Sequence, residues 1–172
     1  MTHPQTAFLI YGPTASGKST VARQLAAEHN AVRFAIDEWM HALFGPDTPE
    51  TMDMAWVMPR VARCQARIWA TCEQILASGR NVVLEMGLLR QQDRDRMQSL
   101  VEASGHAATL CFVDASLATR RQRVLQRNQQ QGDTYSFQIT PTMFDAMEHI
   151  FERPGADEVR RSRVFFEELS HA

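Results

Sequence analysis

The sequence from residue 12 to residue 19 reads Gly12-Pro13-Thr14-Ala15-Ser16-Gly17-Lys18-Ser19. It matches the pattern G-x-x-x-x-G-K-[ST] at every fixed position. A short apolar run at 7–11 precedes it and predicts a buried strand, while the apolar spacing after Lys18 predicts a helix to about residue 29. The octapeptide therefore lies in the strand–loop–helix setting that the pattern requires, which disfavours a chance glycine-rich turn.

Such a loop suits the binding of phosphate groups. Glycine lets the backbone N–H groups approach an anion closely, and the N-terminus of the following helix points its positive end at the same place. Lys18 would reach the terminal phosphates, and the hydroxyl of Ser19 would ligate magnesium. We expect nucleotide contacts from Gly12, Pro13, Thr14, Ala15, Ser16, Gly17, Lys18, Ser19 and Thr20. Lys18 is the only lysine in the chain, so the second lysine that guanine recognition by GTPases requires is missing and ATP is favoured.

Strand and helix signals alternate along the chain, which predicts an α/β fold with a five-stranded parallel sheet and helices on both faces. The strands are predicted at 7–11, 32–36, 81–85, 108–113 and 159–166, although a helix remains open for the last. A long amphipathic helix that Pro59 would begin contains Cys64, Ile68 and Cys72. A polar loop is predicted at 129–139, and Thr140-Pro141 is typical of a helix start.

Composition limits the class of protein. The 172 residues are 44% hydrophobic, with a formal net charge of -2. We therefore expect one domain over 1–172, cytoplasmic, monomeric or homodimeric, with no membrane association and with nucleic-acid binding disfavoured. Cys64, Cys72 and Cys111 are an odd number and are predicted to be reduced core thiols. The scattered histidines offer no pattern for a transition metal.

Two acidic residues follow predicted strands. Asp37 comes directly after the strand at 32–36, and Glu85 ends the strand at 81–85. Both should reach the carboxyl edge of the sheet, where ligands bind. Asp37 could accept the proton of a substrate hydroxyl, or it could cap the next helix, and the two roles are compatible. Glu85 could contact metal or substrate, or it could be a capping or ion-paired carboxylate.

The chain resembles the small P-loop kinases, a group that includes gluconate and shikimate kinases, chloramphenicol phosphotransferase, zeta-toxin kinases and uncharacterised bacterial AAA-type ATP-binding kinases. Besides the loop and Asp37, the likeness rests on Arg123-x-x-x-Arg127 and on the segment Phe151-Glu152-x-Pro154-Gly155-x-Asp157-Glu158. It implies that Arg123 lies against adenine, that Arg127 reaches the phosphates and that a lid spans about 128–140. An aspartate at the position of Asp37 acts as the base in such kinases, but aspartate rather than glutamate is usual at Glu85.

Other residues near Asp37 allow two interpretations each. An apolar acceptor pocket or ordinary helix packing would explain Trp39, Met40, Met52, Met54, Trp56 and Met58. Binding of an anionic acceptor or a solvated helix face would explain Arg60, Arg63 and Arg67. A solvated basic face is also favoured for Arg120 and Arg121.

These observations predict an ATP- and magnesium-dependent phosphotransferase acting on a hydroxyl of a small molecule. Lys18, Asp37 and Arg127 would be the catalytic residues, and Ser19 and Glu85 the metal-binding ones. The alternatives are a kinase of nucleic-acid 5′ ends and a non-catalytic ATP-binding regulatory module.

Overall fold

A computed structural model describes residues 4–51, 53–130 and 138–167. Over these residues, one to three helices separate each strand from the next. The strands are β1 (Thr6–Tyr11), β2 (Ala31–Ala35), β3 (Asn81–Glu85), β4 (Ala107–Ala115) and β5 (Arg163–Glu167). The helices are α1 (Lys18–Glu28), α2 (Ile36–Phe44), α3 (Met54–Ala77), α4 (Gln91–Ala103), α5 (Leu117–Gln130), α6 (Pro141–Ile150) and α7 (Ala156–Arg161).

The strands form one parallel sheet in the order β2-β3-β1-β4-β5. This confirms the predicted α/β fold with a five-stranded parallel sheet. β1 lies at the centre, so the loop that follows it emerges in the middle of the carboxyl edge. β3 and β2 lie on one side of that loop, and β4 and β5 lie on the other. The strand order therefore places the loop at the position where open parallel sheets bind ligands.

Apolar side chains cover both faces of the sheet. On one face Leu9 and Leu84 pack with Ile68 of α3. On the other face Ile10 packs with Leu25 of α1. The three cysteines are buried and unpaired, as predicted. No helix in the described part of the chain has the length and apolar character needed to cross a membrane.

The prediction that Pro59 begins the long helix is wrong. α3 begins five residues earlier, because the Asp53 carboxylate accepts a hydrogen bond from Trp56 N at 2.8 Å and caps the helix. Pro59 consequently lies inside α3, where it has no N–H to donate to the carbonyl four residues before it. The start of α3 is therefore set by the capping side chain of Asp53 and not by Pro59.

Two other segments differ in part from prediction. The segment 159–166 is helix at its beginning and strand at its end, because α7 runs to Arg161 and β5 begins at Arg163. Ile36, predicted as strand, is the first residue of α2. The start of α6 is as predicted, since Thr140 Oγ1 accepts from Met143 N at 3.2 Å and Pro141 follows it. Of the predicted lid, residues 128–130 belong to α5, and residues 131–137 lie outside the described residues.

Candidate nucleotide-binding and phosphotransfer site

The loop between β1 and α1 requires its two glycines. A Cβ on Gly12 would lie 1.9 Å from Val113 O of β4, so no other residue fits there without moving the sheet. Gly17 precedes α1 with φ +100°, a left-handed conformation that glycine adopts at low cost. The backbone can therefore curl tightly at the helix N-terminus, as phosphate binding requires.

Lys18 folds back over this loop. Its Nζ donates to Gly12 O at 3.0 Å and to Pro13 O at 2.7 Å. Loss of hydration lowers the pKa of Lys18 to about 8, although the carboxylates of Asp37 and Glu85 oppose this shift. An ammonium with a depressed pKa, held by neutral carbonyls, gains strongly from a polyanion placed beside it.

Ser19 and Glu85 lie together at the end of the loop. Ser19 Oγ donates to Glu85 Oε1 at 2.9 Å, and Arg33 Nε lies 2.6 Å from Glu85 Oε2. A hydroxyl and a carboxylate are the hard oxygen ligands that magnesium prefers, and phosphate oxygens would complete its shell. The pair therefore fits a magnesium ion bound together with a triphosphate. Glu85 is also the ion-paired carboxylate that the sequence allowed as an alternative, since it pairs with Arg33.

Asp37 is the second residue of α2. The helix begins at Ile36 and has no side-chain cap, so Asp37 does not cap α2 as one interpretation held. Loss of hydration raises the pKa of its carboxyl, and Glu38 adds to that rise. Lys18 and Arg127 oppose the rise by attracting the carboxylate. The carboxylate of Asp37 thus lies in the electrostatic field of both predicted catalytic cations.

A cavity of about 480 Å³ joins these side chains. The loop residues line it, except for Pro13. Asp37, Glu85, Arg123 and Arg127 line it as well. The structure thus brings together, around one space, the residues that the sequence predicted separately.

Arg123 and Arg127 reach the cavity from α5. Arg123 Nη1 lies 3.4 Å from Ala15 O, and the Arg123 guanidinium pairs with Glu167 at the end of β5. Both arginines therefore face the loop, on the side of β4 and β5. Glu167 was not singled out from the sequence, because nothing in a terminal acidic segment indicates that it lines a site.

The interpretation of Arg120 as a solvated residue is wrong. It is 1% exposed, and its guanidinium forms a two-point ion pair with Glu148 of α6. It also donates to Ala115 O at 3.1 Å and to Thr14 O at 3.4 Å. Arg120 therefore ties the loop to two helices. Arg121 is exposed and pairs with Asp145 at 3.2 Å, as a surface residue would.

A second buried arginine shapes the wall of the cavity. Arg94 of α4 is fully buried and ion-paired with Glu158. It also donates to Leu88 O at 3.3 Å and Leu89 O at 3.2 Å, in the segment between β3 and α4 that lines the cavity. Glu158 belongs to the segment noted in the sequence at 151–158. Its role is to anchor this wall.

The residues proposed for an acceptor pocket lie elsewhere. Trp39 and Met40 are half-buried against the core, and Met54 and Met58 are exposed. None of the four lines the cavity. Trp56 lies under the Arg60 guanidinium at 4.0 Å, and Met52 lies outside the described residues. For Trp39 and Met40 the structure favours the helix-packing interpretation.

Sheet order, loop and cavity define a P-loop protein of the small-kinase type. The sequence at 8–154 matches the model of the AAA domain family, and the chain belongs to that family. No curated protein sequence matches the chain significantly.

Solved structures share the fold. Kti12 of Chaetomium thermophilum, in complex with ADP-AlF3, is 12% identical with a TM-score of 0.68, covering 96% of this chain and 90% of that one. APS kinase CysC of Mycobacterium tuberculosis, in complex with AMPPNP and APS, is 16% identical with a TM-score of 0.57, covering 98% and 91%. A gluconokinase of Sinorhizobium meliloti 1021 is 17% identical with a TM-score of 0.56, covering 100% and 86%. At these identities the likeness concerns the fold.

Proposed function

We propose that the protein is an ATP-dependent phosphotransferase that transfers the γ-phosphoryl group to a hydroxyl of a small molecule. One observation carries the proposal: Asp37 lines the same cavity as Lys18 and Arg127, beside the phosphate-binding loop. A carboxylate at this place can accept the proton of a hydroxyl that attacks the γ-phosphorus.

Each residue of the site has a distinct role in the proposed phosphoryl transfer. Loop amides and Lys18 position the triphosphate, and Arg127 balances the charge that develops on the transferred group. Ser19 and Glu85 would hold magnesium, which when bound would neutralise negative charge on the phosphates. The acceptor oxygen bonds to the γ-phosphorus while the bond from that phosphorus to the bridging oxygen breaks and ADP leaves. The hydroxyl proton passes to the carboxylate of Asp37.

Nucleotide binding and turnover test the proposal separately. Calorimetry with Mg-ATP should show binding that Lys18→Ala abolishes. ADP release should then rise on addition of one member of a panel of hydroxyl compounds. Binding without stimulation by any compound would leave the nucleotide-binding module as the function. Stimulation by oligonucleotide 5′ ends alone would favour the 5′-end kinase.

A further inference from the structure

The sheet order divides the cavity into two flanks. The loop after β1 lies at the centre, and α5 approaches it from the side of β4 and β5 with Arg123 and Arg127. On the other side lie β2, β3 and the residues that follow them. We call the lining residues within 33–38 and 85–89 the acceptor flank, because Asp37 belongs to it.

The acceptor flank is rich in carboxylates. Among its described lining residues, Asp37, Glu38 and Glu85 are acidic, and Arg33 alone is basic. Arg33 Nε is 2.6 Å from Glu85, and its Nη2 is 2.8 Å from Glu38. The one cation of this flank is therefore already shared by two carboxylates. Asp37 adds a third carboxylate, which among the described residues is attracted only by Lys18 and Arg127 from outside the flank, the two cations that the proposed function assigns to the phosphates.

Arg60, Arg63 and Arg67, which could have bound an anionic acceptor, do not offset the negative charge of the acceptor flank. The Arg60 guanidinium carbon lies 4.0 Å from the ring centroid of Trp56 and 5.5 Å from that of Phe44, and Arg60 Nη1 donates to Trp56 O at 2.8 Å. Arg63 and Arg67 are exposed. None of the three lines the cavity. On the opposite flank, Arg123 and Arg127 face the nucleotide side.

We infer that the acceptor carries no anionic group and is a neutral or amine-bearing hydroxyl compound. This inference rests on the proposed function. A carboxylate or phosphate on the acceptor would meet like charge on the acceptor flank and again on Mg-ATP, which retains net negative charge. A neutral hydroxyl compound meets no such repulsion, and an ammonium beside Glu38 would be attracted.

The experiment compares acceptors by charge. ADP release is measured with Mg-ATP and the full chain, over a panel of hydroxyl compounds in four groups: neutral polyols and nucleosides, amino sugars and amino alcohols, sugar acids, and sugar phosphates. We expect the highest kcat/KM in one of the first two groups. Carboxylate- and amine-bearing analogues of the best compound then isolate the effect of charge.

A substitution on the acceptor flank checks the cause. Glu38→Gln removes one charge close to the acceptor, so the ratio of kcat/KM for amine-bearing over carboxylate-bearing analogues should fall about fivefold. Glu73→Gln removes the same charge from an exposed position on α3 outside the cavity and should leave the ratio unchanged. An unchanged ratio in Glu38→Gln would count against the inference.

The outcomes separate the two claims. A best acceptor from the sugar acids or sugar phosphates would overturn the inference while leaving the kinase assignment intact. Stimulation by no compound, in a folded protein that binds Mg-ATP, would overturn the proposed function, and the inference with it. A neutral or amine-bearing acceptor, together with the shifted ratio, would support both.

Discussion

Arg94 and Glu158 form an ion pair in the core, with the arginine fully buried and the glutamate 3% exposed. Each nitrogen of the Arg94 guanidinium has a hydrogen-bond partner. Nε and Nη2 donate to the Glu158 carboxylate. The backbone carbonyls of Leu88, Leu89 and Glu152 accept the remaining hydrogen bonds. Such a pair costs much to break, because removal of one partner leaves the other charge buried.

Glu158→Gln should therefore destabilise the protein by about 3–5 kcal/mol. Denaturant unfolding measures the change. Asp157→Asn is the control, since Asp157 pairs with Arg160 at a surface where both side chains are exposed, and it should cost less than about 1 kcal/mol. Equal losses for the two variants would mean that Arg94 does not depend on Glu158.

Arg120 connects the nucleotide loop to α6 through Thr14 O and Glu148. Arg120→Met removes both contacts and leaves Glu148 without its cation, so we expect a loss of about 2–4 kcal/mol in stability. Because the loop loses an anchor, the affinity for Mg-ATP should fall as well. Arg121→Met, beside it and exposed, should change neither quantity. Thermal unfolding measures the stability of each variant, and calorimetry measures its affinity for Mg-ATP. Equal effects of the two substitutions would contradict the anchoring role of Arg120.

Lys18 is held charged in a place that disfavours its charge, with a pKa of about 8 against an ordinary value of 10.5. Lys18→Met should therefore stabilise the nucleotide-free protein by about 1–3 kcal/mol, since one pKa unit corresponds to about 1.4 kcal/mol. The folded state binds the Lys18 proton less tightly than the unfolded state, so the gain is complete below pH 8. It should disappear as the pH rises from 8 to about 10.5. Urea unfolding at pH 7 and pH 10 tests the sign, and an equal gain at both would refute it.

The same lowered pKa predicts proton uptake on nucleotide binding. Triphosphate beside Lys18 favours the ammonium and raises its pKa above about 8. Binding of Mg-ATP near pH 9 should therefore take up a proton, and the affinity should weaken as the pH rises from 8 to 10. Calorimetry in two buffers of different ionisation enthalpy measures the uptake. The control is the same titration at pH 7, where Lys18 is already largely protonated before ATP binds and the uptake should be much smaller.

Asp37→Asn should lower turnover about 10²- to 10⁴-fold on the acceptor that the panel identifies, because the amide cannot accept the hydroxyl proton. Affinity for Mg-ATP should change little. Steady-state kinetics and calorimetry on the same preparation separate the two effects. Turnover within a few-fold of the parent would remove Asp37 from its proposed role.

Local sequence signals predicted the parts of the fold that local chemistry determines. The loop, the first four strands, the cap at Thr140 and the carboxylates Asp37 and Glu85 are each indicated by residues only a few positions apart. The fifth strand was not, because the segment 159–166 also fitted a helix and contains the end of α7. Long-range ion pairs have no such local signal. Arg94 stands in a charged stretch that resembles a solvated helix face, and Glu158 lies 64 residues away. The ion-pair partners of Arg120 and Arg33 could not be predicted for the same reason. Periodicity identifies a helix face or a strand, but it does not identify the distant charged residue that packs against it.

Because Glu167 pairs with Arg123, the edge strand β5 also helps to position a residue that lines the nucleotide cavity. An edge strand with a single neighbour is usually the part of a sheet that tolerates trimming best. Here trimming β5 would release Arg123 from its partner beside the nucleotide loop. Affinity tags and surface immobilisation for ligand assays should accordingly be attached away from this strand.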